Sequence, residues 1–87
     1  MWYIYVLESL KNKRRYVGIT NNLKRRFTEH NSEKFSDTFT SKNRPHRLIY
    51  YEAYLEKQDA QTAELFYKSG YGREILKGKL KKYLSPK

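Results

Sequence analysis

The chain is 87 residues long, the size of one domain (residues 1–87), and its 19 Lys+Arg against 9 Asp+Glu give a formal net charge of +10. The absence of cysteine excludes a disulfide framework, a Cys-ligated zinc finger and a thiol nucleophile, and no apolar run is long enough to cross a bilayer or serve as a signal peptide. The expectation is a cytoplasmic domain, kept from disorder by nine tyrosines, four phenylalanines and one tryptophan, whose basic surface meets a polyanion such as DNA or RNA.

Trp2 to Leu7 alternates aromatic and aliphatic residues and reads as a strand, with Trp2, Ile4 and Val6 on one face and Tyr3, Tyr5 and Leu7 on the other. Ser9 to Arg14 is a polar turn, and Arg15 to Ile19 is a second strand with Tyr16 and Gly18 on one face and Val17 on the other. An antiparallel hairpin of these two strands can bring Tyr5 close to Tyr16. Thr20, Asn21 or Asn22 can cap a helix reaching to about Asn31. Leu23, Arg26, Phe27 and His30 share its inward stripe, whereas Lys24, Arg25 and Glu29 lie on its outer face. Arg26 and His30, four residues apart, can act together, and a charged pair on an inward stripe needs either snorkelling or a site to explain it.

Residues 32–46 lack periodicity; Lys34, Lys42 and Arg44, with Phe35 and Phe39 between them, suit an arm that contacts a backbone and stacks on bases, or a plain connector. Arg47 to Tyr54 reads as a third strand. Asp59 to Ser69 reads as a second helix with Ala60, Ala63, Phe66 and Tyr67 on its apolar arc and Glu64 at the edge of that arc. Gly70 and Gly72 are expected to break the chain before a basic third helix from about Arg73 to Tyr83, whose Lys79, Lys81 and Lys82 form a solvated face. The order is that of an α+β domain: a three-stranded antiparallel sheet flanked by about three helices.

Net charge turns negative only across residues 51–70, through Glu52, Glu56, Asp59 and Glu64. No Gly-rich phosphate loop, paired carboxylates or Ser-His-Asp order is present, so the available chemistry is that of Tyr, Arg, His and Glu. Magnesium suits that inventory, because it accepts one or two carboxylates and keeps most of its waters.

Tyr3-Ile4-Tyr5, then Tyr16-Val17-Gly18, then Arg26, His30 and Glu64 resemble the GIY-YIG nuclease family, in particular its small stand-alone bacterial branch related to the nuclease domain of the excision-repair endonuclease C subunit. The resemblance continues through Gly18-Ile19-Thr20-Asn21-Asn22-Leu23 and Arg25-Arg26-Phe27-Thr28-Glu29-His30-Asn31, and on to Ala63-Glu64. It implies an endonuclease that hydrolyses a DNA phosphodiester bond with Mg2+ or Mn2+, structure-specific and linked to repair or recombination.

On that resemblance Tyr5 and Tyr16 are the motif tyrosines, one of which, by preference Tyr16, deprotonates water. Gly18 permits close backbone approach, Arg26 clamps the phosphate, His30 orients or relays a proton, and Glu64 is the sole protein ligand to the metal. Lys24, Arg25, Lys34, Lys42 and Arg44 are candidate nucleic-acid contacts. The chain departs from the family pattern in having Tyr3 at the first motif's glycine and no asparagine beyond Asn43. The same residues also admit plainer uses: Tyr5 with Tyr16 as packing partners, Arg26 paired with Glu29, and Glu64 paired with Lys68. A nucleic-acid-binding module with a dormant site is the alternative function, and an adaptor for an acidic protein partner is a third.

Overall fold

The computed structural model describes residues 1–32 and 42–86, so the expectations placed on Lys34, Phe35 and Phe39 lie outside the described residues. Three antiparallel strands, β1 (Trp2–Ser9), β2 (Arg15–Thr20) and β3 (His46–Tyr54), form one sheet in the order β2-β1-β3. The central place of β1 explains its composition. It is paired on both edges and covered on both faces, so Ile4, Tyr5, Val6 and Leu7 are each 1% exposed or less.

β1 runs two residues past the expected Leu7. Ser9 pairs with His46, and its buried hydroxyl donates to the Asn43 carbonyl (2.6 Å) while accepting from the Lys11 and Asn12 amides (3.1 and 3.3 Å). That one hydroxyl ties the β1–β2 turn to the entry of β3. Strand register sets which residues share a face. Ile4 lies between Ile19 and Glu52, and Val6 between Val17 and Tyr50; Tyr5 lies between Gly18 and Tyr51 on the opposite face.

Helix α1 (Leu23–His30) starts where the Asn22 side chain accepts from the Arg25 amide, as expected for a capping asparagine. Helix α2 (Lys57–Lys68) lays Ala60, Ala63 and Tyr67 on the Ile4–Val6 face, and α3 (Gly70–Lys79) adds Leu76 to that core. Phe66, expected on the buried arc of α2, is instead 37% exposed. Two small alanines already fill the contact with the sheet, and the ring stacks edge-on with Tyr67 and Tyr71.

The glycines do not break the chain. Ser69 caps α3 by accepting from the Gly72 amide, Gly70 opens the helix, and Gly72 lies within it. A Cβ at Gly72 would sit 1.8 Å from the Phe66 carbonyl oxygen, so glycine here serves close helix–helix approach. The expected single helix to Tyr83 is two pieces, parted at the buried Leu80 before the short α4 (Lys81–Leu84). Tyr83 then anchors the C-terminal segment by donating to the Glu8 carboxylate (2.7 Å).

Candidate functional site

The face of β1 opposite the main core carries Tyr5, and α1 presents His30 to it. Both are almost completely buried, and the Tyr5 hydroxyl lies 2.8 Å from His30 Nε2. Tyr16, on β2, completes a ring triangle: its centroid is 5.2 Å from that of His30 and 6.3 Å from that of Tyr5. Gly18 makes the triangle possible. A Cβ there would meet the Tyr5 hydroxyl at 2.4 Å, Tyr5 Cζ at 2.5 Å and Tyr16 Cε1 at 2.9 Å.

Arg26 sits one turn before His30 on α1, at the margin of this cluster. Partial burial works to lower its pKa, but hydrogen bonding to Tyr5 and the Glu29 carboxylate (3.2 Å) outweigh that and raise it. The guanidinium is therefore a fixed positive charge beside a phenol. It forms the plain ion pair with Glu29 as well as the contact with Tyr5. Asn31 locks the end of α1 in place. Its side chain accepts from the His46 amide (2.7 Å) and donates to the His46 carbonyl (3.1 Å), fixing the helix to the first residue of β3.

Glu64 lies on α2, where its carboxylate, one-fifth exposed, pairs with Lys68 at 3.2 Å. No group of three or more His, Asp or Glu that could hold a metal occurs among the described residues. That donor set does not fit an all-protein cage; it fits Mg2+, which needs as little as one carboxylate and fills its remaining positions with water and substrate phosphate.

A second acidic centre was not singled out from the sequence. Glu52, opposite Ile4 on the helix-covered face, accepts from the hydroxyls of Tyr50, Tyr54 and Tyr67, each at 2.5 Å. Burial raises the Glu52 pKa, but these three donors prevail and lower it. In turn Tyr50 is pushed up to about 12 by burial and by Glu52, and Tyr54 to about 12 by Glu52 and by burial; Tyr67 is raised too, by burial first. With both oxygens engaged, Glu52 is a structural carboxylate. Only the strand alternation of Tyr50, Glu52 and Tyr54 hinted at it.

The remaining candidates divide. Lys24, Arg25 and Lys42 are exposed. Arg44 is half-buried and donates to the Ser32 carbonyl (2.5 Å), which ties the two ends of the 32–46 segment together. No helix among the described residues is long and apolar enough to cross a membrane.

Comparison with known proteins places the chain in a family. A UPF0213 protein of Pediococcus acidilactici is 40% identical over 77 residues, covering 87% of this chain and 78% of its own. A UPF0213 protein of Limosilactobacillus reuteri is 43% identical over 68 residues, covering 77% and 70%. One from Streptococcus pyogenes is 39% identical over 66 residues, covering 76% and 70%. No solved structure matches the chain significantly. The sequence profile of the GIY-YIG catalytic domain matches residues 1–81, the span that holds both strands of the tyrosine hairpin, α1 and α2, and the chain belongs to that family of nucleases.

Proposed function

We propose that this domain is a divalent-metal-dependent endonuclease that hydrolyses a DNA phosphodiester bond in the cytoplasm, in repair or recombination. The observation that carries the reading is the Tyr5–His30 hydrogen bond, flanked by Tyr16 and by the Arg26 charge. Four groups suited to phosphoryl chemistry converge on one end of α1.

Tyr5 is almost fully buried, whereas Tyr16 is half-exposed. Solvent access therefore favours Tyr16 as the group that takes the proton from the attacking water, with Tyr5 and His30 holding its ring and the local proton in place. An unperturbed tyrosine has a pKa near 10, so a nearby cation is needed to make its oxygen an effective base at neutral pH. Arg26 brings such a charge to the cluster through its hydrogen bond to Tyr5, and would also bind the non-bridging oxygens of the scissile phosphate. Tyr16 acts as its phenolate, its own proton having gone to solvent; the proton from water goes to that oxygen, the new P–O bond forms as the bond to the leaving sugar oxygen breaks, and that oxygen leaves with a proton from solvent. Glu64 would hold Mg2+ or Mn2+, which when bound stabilises negative charge on the phosphate. Lys24, Arg25 and Lys42 supply further exposed positive charge for the backbone.

The Glu64–Lys68 ion pair favours one rival, a dormant site that binds nucleic acid without cutting it. The two readings separate when wild type and Glu64→Gln are incubated with Mg2+ or Mn2+ and single-stranded, duplex, nicked and branched DNA. Cutting by wild type alone is expected. Equal cutting by both proteins removes Glu64 from the mechanism, and binding without cutting under either metal selects the dormant site.

A further inference from the structure

A groove of about 1030 Å³ runs along the outer edge of β2 between the β1–β2 turn and the α2–α3 junction, with Tyr16 and Val17 in its wall. Its rim is cationic. The turn contributes Lys13 and Arg14, the start of β2 Arg15, and the helices Lys68, Arg73 and Lys77.

Among the described residues only one acid, Glu74, lines it. Arg15, Lys68 and Lys77 each have a carboxylate partner, Glu8 at 3.8 Å, Glu64 at 3.2 Å and Glu74 at 3.2 Å. Lys13, Arg14 and Arg73 have none among the described residues, and all three side chains are exposed. Positive charge of this density in a concave wall concentrates a polyanion and is otherwise self-repelling. Gly70, the first residue of α3, also lines the groove, so the positive end of that helix dipole adds to the field.

We propose that this groove binds the sugar-phosphate backbone of the nucleic-acid strand to be cut, leading it past the edge of β2 to Tyr16, with Arg14 and Arg73 as its principal phosphate contacts. This rests on the nuclease reading, because it assigns the groove by its opening onto the proposed base. It places substrate contacts on the β1–β2 turn and α3, outside the tyrosine motifs and outside α1. The Lys68–Glu64 pair then links the groove wall to the proposed metal ligand.

The test compares Arg14→Gln/Arg73→Gln with Lys81→Gln/Lys82→Gln, a pair that removes the same charge from α4, away from the groove. Binding of fluorescein-labelled single-stranded and duplex DNA is followed by anisotropy without divalent metal, over a salt series, and thermal melting verifies the fold. Each phosphate contact contributes about 0.7 to the log–log salt slope for single strands and about 0.9 for duplex. The groove pair should therefore lower the slope by about 1.4 or about 1.8 and weaken binding at least tenfold, the control pair much less. Arg73→Lys in an otherwise native chain should retain most of the affinity. Equal losses in the two pairs would overturn the proposal. Cleavage with Mg2+ separates it from the reading beneath it: a groove pair that cuts with unchanged KM removes the groove and leaves the nuclease. A wild type that never cuts, yet loses binding only through the groove pair, removes the nuclease and leaves the groove.

Discussion

Replacing Gly18 by alanine adds one methyl group at the most crowded point of the tyrosine cluster. That carbon would lie 2.4 and 2.5 Å from the hydroxyl and Cζ of Tyr5, so one of the two must move. β2 cannot yield easily, because Gly18 is paired with Tyr5 within the β1–β2 ladder, and Tyr5 is 1% exposed with no open side to swing into. Overpacking of this kind costs about 1–3 kcal/mol. Displacing the Tyr5 hydroxyl also breaks its buried hydrogen bond to His30, at a further cost of about 1 kcal/mol.

Taking about 2 kcal/mol as the lower end of the combined effect, a domain of this size should melt about 8–16 °C lower. Denaturant unfolding with a fixed m-value gives the free energy directly. Tyr5→Phe alone removes the hydroxyl but not the ring and should cost about 1 kcal/mol. The double variant Gly18→Ala/Tyr5→Phe relieves only the hydroxyl clash, so its loss should fall short of the sum of the two single losses. A Gly18→Ala protein within about 0.5 kcal/mol of wild type would refute the claim that this glycine serves close approach.

At the second polar centre, Glu52 has a folded pKa below its unfolded one, so its stabilisation is complete above about pH 4.3 and is lost as pH falls through the lowered value. Glu52→Gln should flatten the acid limb of the stability–pH curve, and a limb of unchanged slope would count against the three-hydroxyl arrangement. Tyr50 and Tyr54, raised to about 12, contribute stability fully below their unfolded pKa of about 10 and lose it as pH climbs through 12. Ultraviolet titration should show both moving toward ordinary values in Glu52→Gln. Asn31→Ala removes both side-chain bonds to His46 and should cost about 1–3 kcal/mol in urea unfolding, with His30 ring resonances shifting by NMR; unmoved resonances would show that α1 is held by other contacts.

Much of the fold follows from local pattern. The alternation from Trp2 to Leu7 separates the Ile4–Val6 core face from the Tyr5 face, and the spacing of Leu23, Arg26, Phe27 and His30 turns the last of these toward the sheet. Those are consequences of the periods of strand and helix, which the order of residue types alone fixes. The approach of Tyr5 and Tyr16 was likewise legible, because the two strands of a hairpin are neighbours in sequence; that His30 joins them was implied only by the family resemblance.

Other features depended on contacts between distant segments. Phe66 has the same helical spacing as the buried Ala63, yet only the packing of α2 on the sheet decides that the alanines fill the contact and the ring faces outward. Gly72 looked like a helix breaker until the Phe66 carbonyl filled the space its side chain would need. Glu52 resembled the other acids of its negative stretch, and its three tyrosine partners come from a strand and a helix brought together only on folding. The cationic groove joins a turn at residues 13–15 to helices more than fifty positions later. Sequence by itself determined the three strands, the order of the elements and the inward stripe of α1, since these arise from short-range periodicity. Only the tertiary structure decided which charges meet, because electrostatic partnership depends on distance and burial, and those are set by the packing of the whole chain.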